Sequence, residues 1–307
     1  ETMTRLDQYA RLYEHVMAMP PLKGRKPPHD KFPGAHTTTT VETLMPDGKS
    51  VQAATSHYLG TSFAEAFDIT YADENEEETT AHTTSWGLSW RAMGALFMTH
   101  SDDQGLVLPP ALAPEQVVIV PIWQEDNQEE VVGYAEEVAE ELDAAGVRVH
   151  LDDRGNRNPG FKYNEWELKG VPVRIEVGPN EVADEAVTFV HRPDGESVVE
   201  DFEGVGETAH DHLDTVHAKL YASAEETLEG EIREAESREE ILGTIGQHGG
   251  YVKCGWCGDE ECEDPIKEAI AAEIVMVPLD RDEEPIHDDC AICGDEAEET
   301  AYFAKSY

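Results

Sequence analysis

The chain has 307 residues, with 66 Asp and Glu against 22 Lys and Arg and a formal net charge of −44. That length exceeds a typical single domain and predicts two or three, and a 39% hydrophobic content with clear periodic segments excludes a solvated acidic tail. No apolar run approaches the ~18 residues of a membrane helix and no export signal opens the chain, so a cytoplasmic protein without a membrane partner is expected.

The acidic residues are spread through nearly every segment. Self-repulsion at such charge opposes compaction unless salt screens it, and at molar salt the Debye length falls to about 3 Å. A halophilic protein is the expectation. The five cysteines all lie between Cys254 and Cys293, a clustering that favours metal over disulfides.

Residues 3–18 predict an amphipathic helix with Met3, Leu6, Tyr9, Ala10, Tyr13, Val16 and Met17 near one face, stopped by Pro20-Pro21. Residues 37–45 and 50–54 predict strands about the turn Pro46-Asp47-Gly48. A loop carrying the acidic run from Asp73 to Glu78 follows, and residues 87–100 predict a helix. The rhythm then changes. Residues 116–122, 147–151 and 171–177 read as strands, alternating with helices over 128–145 and 159–169. Gly146 and Gly170 stand where helix-ending glycines belong. Such alternation predicts a largely parallel or mixed sheet covered by helices. A hairpin over 186–191 and 197–200, a long acidic helix over 207–229, a second helical segment and a cysteine-rich module complete the chain.

Two polar stretches could carry chemistry. Gln52-Ala53-Ala54-Thr55-Ser56-His57 lies beside a strand, and Ser85-Trp86-Gly87-Leu88-Ser89-Trp90-Arg91 opens the helix expected at 87–100. A cation in the first turn of a helix opposes the dipole, and one reason to place Arg91 there is to meet an anion such as phosphate. Residues 23–49 hold five cations and three anions, and residues 148–174 hold six and four, so each is a local +2. Positive islands of this kind are what contacts with ATP and RNA require. For the cysteines, spacing alone selects Cys254-x₂-Cys257 with Cys290-x₂-Cys293.

Taken in order, several stretches resemble the prolyl-tRNA synthetases of the archaeal and eukaryotic type. They are Lys23-Gly24-Arg25-Lys26, Lys31-Phe32-Pro33-Gly34-Ala35, Thr37 to Thr40 with Glu42, Asp47-Gly48-Lys49, Gln52 to His57 with Leu59-Gly60, Ser85 to Arg91, and Gly105 to Pro110. The resemblance covers essentially the whole chain. It implies a multidomain α/β and α+β protein. Part of a class II synthetase antiparallel-sheet core falls at 1–112, an α/β anticodon-binding domain at 113–206, and a small α/β zinc-binding domain at 207–307. It implies an ATP- and Mg²⁺-dependent ligase, a homodimer by family habit, that activates L-proline and transfers it to tRNA(Pro).

Residue by residue, the resemblance gives Arg91 contact with the ATP phosphates as the catalytic arginine, and Gln52 and Thr55 contact with ATP. It gives Phe32, His57, Ser85 and Gly87 the lining of the proline pocket. Adenylate chemistry needs no protein nucleophile, so neither Ser56 nor any cysteine is read as catalytic. The first and second class II motifs belong upstream of residues 3–18. A chain that opens on Glu1 without them is expected to be an incomplete catalytic domain, unable to make the adenylate alone.

The stretches 116–122, Asp152-Asp153-Arg154, Asn158 to Lys162, Trp166 to Arg174 and Glu176 to Pro179 resemble the anticodon domain. Glu167 and Arg174 match its base-reading positions, and a bidentate arginine is the usual reader of guanine. Asn180 departs from a position where the family often has a basic residue. For zinc the resemblance selects Cys257, Cys262, Cys290 and Cys293, leaving Cys254 free and His248 and His287 as bystanders. Family members commonly end in tyrosine near the active site, as this chain ends in Tyr307. Two other readings compete: a tRNA-binding or accessory protein without catalysis, and another class II synthetase such as the threonyl type, whose catalytic zinc ligands are not seen in this sequence.

Overall fold

The computed structural model describes residues 1–279 and 284–307. Its first stretch comprises α1 (Thr2–His15), β1 (Leu22–Arg25), β2 (Thr37–Leu44), β3 (Ser50–Gly60), α2 (Ser62–Ala66), β4 (Thr70–Ala72), β5 (Glu78–Thr80), β6 (Thr83–Leu88) and α3 (Arg91–His100). The middle holds β7 (Val117–Pro121), α4 (Gln128–Ala144), β8 (Val149–Leu151), α5 (Pro159–Lys169), β9 (Val173–Val177), α6 (Pro179–Asp184), β10 (Ala186–His191) and β11 (Ser197–Asp201). The last stretch holds α7 (Val205–Gly230), β12 (Ile232–Glu234), α8 (Arg238–His248), β13 (Tyr251–Trp256), α9 (Asp264–Ile270), β14 (Glu273–Pro278) and β15 (Glu299–Ala304).

Two compact units result. One contains Glu1–Glu14, Met19–Leu96 and Glu225–Tyr307; the other contains His15–Ala18 and Phe97–Ala224. In the first, eight strands form one sheet in the order β12-β13-β15-β14-β1-β2-β3-β6. Every neighbouring pair is antiparallel except β12 and β13. The five threonines and Val41 of β2 suit a pleated surface, because β-branched side chains are stiff and pack well there. Most of β2 is buried.

Residues 87 and 88 depart from the helix expected at 87–100: residues 83–88 are extended. They form β6 and pair along β3, and the helix begins only at Arg91. The β-branched Thr83 and Thr84 favour the strand, and β3 offers a free ladder. The acidic run from Asp73 to Glu78 is not a plain loop but joins β4 and β5 in a small hairpin. There the Asp73 carboxylate accepts the backbone N–H groups of Asn75 and Glu77 at 2.8 and 3.0 Å.

In the second unit five strands run β11-β10-β9-β7-β8. β7 pairs in parallel with β8 and β9, and β10 and β11 add antiparallel, giving the mixed sheet that the alternation predicts. Val117, Val118, Ile119 and Val120 are buried on both faces, as expected of a strand covered by helices on each side. Asn158 caps α5, its side-chain oxygen accepting Phe161 N–H at 2.8 Å. Gly170 closes the same helix at φ 76°, where Leu106 lies too near for any side chain. No helix among the described residues is long and apolar enough to cross a membrane.

Candidate functional site

In a regular strand Gln52 and Thr55 would face opposite sides. β3 pairs Ala54 with Val41 but Gln52 with Glu42, so Ala53 is an extra residue, a bulge. The bulge brings Gln52, Thr55 and His57 to the same cavity. Tyr13 of α1 fixes it from behind, its buried hydroxyl donating to the Ala53 carbonyl at 3.1 Å. β6 lies alongside with Gly87 opposite Thr55 and Ser85 opposite His57. Gln52, Thr55, His57, Ser85, Gly87 and Arg91 line one open cavity of about 350 Å³. A Cβ at Gly87 would meet nothing within 4 Å, so the chain itself does not demand glycine there.

One end of this site is aromatic. The Phe32 and His57 rings stand 4.9 Å apart. Thr38, which the sequence reading did not single out by function, holds both. Its hydroxyl accepts Phe32 N–H at 2.9 Å and lies 3.0 Å from His57 Nδ1. Burial lowers the His57 pKa and so favours the neutral ring. At the other end Arg91 opens α3 with its N–H on Ser89 Oγ at 3.3 Å, and no ion pair holds its exposed guanidinium among the described residues.

The positive islands prove to be internally paired. In residues 23–49, Lys23 pairs with Asp7, Arg25 with Glu299, Lys26 with Glu42 and Asp30, and Lys49 with Asp47. In residues 148–174, Arg148 donates to the carbonyls of Pro110, Ala111 and Ala113. Arg154 grips Asp152 and Glu165, and Lys169 also takes Glu165. Lys162, only 1% exposed, donates to the Asp152 carbonyl at 2.7 Å. Trp166 Nε1 donates to the same Asp152 carboxylate at 2.9 Å. These cations and polar groups hold the Asp152 carboxyl far below the usual range against the effect of its burial. Counting charges along the sequence therefore overstated the free positive surface.

Glu167 and Arg174 do come together, at 3.0 Å. Glu176 holds Arg174 from its other side at 3.0 Å, and the guanidinium lies 4.0 Å above the Tyr163 ring. Both Glu167 and Arg174 border a cavity of about 310 Å³ with Trp166, His191 and Arg192. A nearby group of His191, Asp194 and Glu196 has ligand-like spacing, but the Lys219 ammonium already sits there, 2.6 Å from Asp194.

The cysteines converge as Cys257, Cys262, Cys290 and Cys293, all four Sγ atoms within 4.8 Å of one another. Cys257 Sγ is 3.6 Å from Cys262 Sγ and 3.7 Å from Cys293 Sγ. A tetrahedron with Zn–S bonds of about 2.3 Å has edges of about 3.8 Å, so the donor set fits such an ion. Two tight turns present the thiols, each followed by a glycine at positive φ, Gly258 and Gly294. Burial pushes the Cys290 thiol up, but backbone N–H groups of Cys293, Ile292 and Cys257 outweigh it and lower its pKa. Gly255 of β13 makes room: a Cβ there would strike the Asp289 carbonyl at 2.5 Å. Cys254, which spacing alone selected, is not in the group. It is buried in the core with its thiol pushed up to about 12 by burial and by the neighbouring Cys290.

The family profile described as "Anticodon binding domain" matches residues 116–210, and "Prolyl-tRNA synthetase, C-terminal" matches residues 238–307. The proline–tRNA ligase of Haloarcula marismortui is 83% identical over all 307 residues. The chain belongs to the prolyl-tRNA synthetase family. The proline–tRNA ligase of Halorubrum lacusprofundi is 72% identical over the whole chain. The chain spans 63% of the length of each of these two relatives. A crystal structure of prolyl-tRNA synthetase from Cryptosporidium parvum, complexed with L-proline and AMP, is 36% identical with a TM-score of 0.91. That match covers 100% of this chain and 66% of the other.

Within this synthetase fold, the residues that sequence reasoning did not assign are chiefly supports: Tyr13, Thr38, Tyr163 and Glu176. Their signal in sequence is faint, because a supporting side chain needs only one well-placed polar or aromatic group.

Proposed function

We propose that this chain supplies, as part of a longer polypeptide, one wall of the active site, the anticodon-reading surface and the metal module of a proline–tRNA ligase. The whole would activate L-proline with ATP and pass the prolyl group to tRNA(Pro). The observation that carries this reading is the gathering of Gln52, Thr55, His57, Ser85, Gly87 and Arg91 about one cavity by the β3 bulge and the β3–β6 register. We assign residues 1–112 to the catalytic domain, 113–206 to the anticodon-binding domain and 207–307 to the zinc-binding domain.

The chemistry suits these groups. A small imino acid needs an aromatic wall and few polar anchors; Phe32 provides the wall, and a neutral His57 does not repel a cationic proline nitrogen. Arg91 meets phosphate oxygens as the proline carboxylate attacks the α-phosphate, with Gln52 and Thr55 toward the nucleotide. Mg²⁺ supplies further neutralisation of the triphosphate when bound. Glu167 and Arg174 read anticodon bases. Cys257, Cys262, Cys290 and Cys293 hold a structural Zn²⁺. The protein works as a cytoplasmic homodimer.

The test is proline-dependent ATP–pyrophosphate exchange at molar KCl, on the complete polypeptide with this chain in parallel. Exchange driven by proline alone in the complete protein, and none in this chain, is the expected result. Absence of exchange with every amino acid would favour a non-catalytic tRNA-binding protein instead. In dilute buffer the same protein should lose its fold as screening is withdrawn; an unchanged melting temperature would remove the halophilic reading.

A further inference from the structure

The loop from Lys26 to His36, between β1 and β2, has two sides. On one, the Phe32 ring packs beside His57, which lines the cavity already described. The loop is closed by Lys26 N–H on the Thr38 carbonyl at 2.9 Å and by His36 N–H on the Tyr58 carbonyl at 2.8 Å. On its other side the loop and the last residue of β1 before it each touch the segment that carries the cysteines. The His29 imidazole, in a 3-10 turn over Pro28–Asp30, hydrogen bonds the Glu263 carboxylate. The buried Arg25 guanidinium pairs with Glu299.

Both carboxylates are tied to the cysteine cluster. Glu263 directly follows Cys262, and its side chain is 5% exposed. Its second oxygen accepts Ile274 N–H from β14 at 3.1 Å. Glu299 opens β15 opposite Trp256, the neighbour of Cys257. A buried carboxylate deprived of its partner is costly. His29 therefore follows Glu263, and Glu263 follows Cys262. Two residues, Asp30 and Lys31, separate His29 from Phe32, too few to absorb a displacement inside a closed loop.

We propose that His29 and Arg25 are positioning residues that link the four-cysteine cluster to the Phe32 wall, so that metal occupancy sets where that wall stands. Its kinetic consequence rests on the proline-pocket reading above; its structural consequence does not.

Backbone hydrogen exchange of the complete polypeptide at molar KCl tests the link, with Zn²⁺ bound and after chelation. Chelation should speed exchange at residues 28–36 as well as at 257–263 and 290–294, while 117–121 stay protected. With Zn²⁺ still bound at unchanged stoichiometry, His29→Ala should already speed exchange at 28–36, and chelation should then add little there. His29→Gln, which keeps a donor for Glu263, should restore most of the protection. The KM for proline should rise about fivefold in His29→Ala with the KM for ATP nearly unchanged. Should His29→Ala not fold, Glu299→Gln reads the same amides.

Protection of 28–36 that survives chelation would overturn the proposal. So would a His29→Ala protein with unchanged exchange at those amides. Coupled exchange in a protein that does not activate proline would sink the ligase reading while leaving this link intact.

Discussion

The two sheets bury different things. In the five-stranded sheet the core is mostly apolar, from Val117 and Ile119 to Val131, Val138, Ile175 and Phe189, with the buried Asp152 and Lys162 placed beyond the end of β8. In the eight-stranded sheet charged and hydroxyl groups lie at the same depth. Glu42 accepts from Thr40 at 2.7 Å and Ser50 at 2.8 Å, with Lys26 at 3.5 Å. Ser50 continues the network to the Tyr251 hydroxyl of β13 at 2.9 Å. Burial raises the Glu42 pKa against Lys26, Thr40 and Ser50, and burial beside Glu42 raises that of Tyr251 strongly. An apolar core rewards area and forgives small changes of geometry. A buried polar network penalises every wrong pairing, and so fixes register. The sheet that carries the cavity has the second kind of interior, and its strands come from distant parts of the chain.

The largest way to separate the two is metal removal. Chelation should unfold the cysteine module, a loss on the order of 10 kcal/mol of coupled binding and folding energy, and loosen the eight-stranded sheet alone. Calorimetry should then show two transitions where the loaded protein shows closer ones. Cys262→Ser should lose the metal by elemental analysis, whereas Cys254→Ser should keep it.

Next is Glu42→Ala. It takes from the buried Lys26 one of its two carboxylates, leaving Asp30, and takes from Thr40 and Ser50 their acceptor, and should cost about 3 kcal/mol, read as a lower denaturant midpoint for the unit that contains β2. A loss under about 1 kcal/mol would show that water reaches this network.

Ile119→Ala is the apolar counterpart. It should cost about 2–5 kcal/mol from lost burial and the cavity left behind, in the other unit, and without the pH dependence that ionisable partners confer.

The smallest effect sharpens the contrast at low pH. The Arg192 guanidinium, gripping Asp102 through two hydrogen bonds of 2.7 and 2.8 Å, lowers the Asp102 pKa from 3.8 to about 2. A depressed carboxyl stabilises the fold above its unfolded pKa, and that contribution is lost as pH falls from about 4 through 2. Asp102→Asn should flatten the stability curve in that window and leave it unchanged at pH 7 apart from a constant offset. An unaltered slope would mean that the pair is screened away in solution.

Much of the five-stranded unit was legible in sequence because its signals are local. Alternating strand and helix patterns, the Asn158 cap and the Gly170 stop each act within a few residues. The cavity residues were legible singly, as a polar run and an arginine at a helix start, but β6 was not. The exposed face of residues 83–88 lacks a clean alternation, and its pairing partner decides its form.

The sequence by itself determined the charge, the family resemblance, the strand–helix order of the middle of the chain and the confinement of thiols to one module. The tertiary structure decided between the thiols that spacing selects and those that the resemblance selects, and it alone decided how the Ala53 bulge turns Gln52 toward Thr55 and that nearly all the cations of the positive islands are spent internally. It alone joined β14 to β1 across some 250 residues of chain. The physical reason is range. Propensity, capping and composition act over a few residues. Ligand convergence, register and ion pairing depend on which distant segments share a sheet.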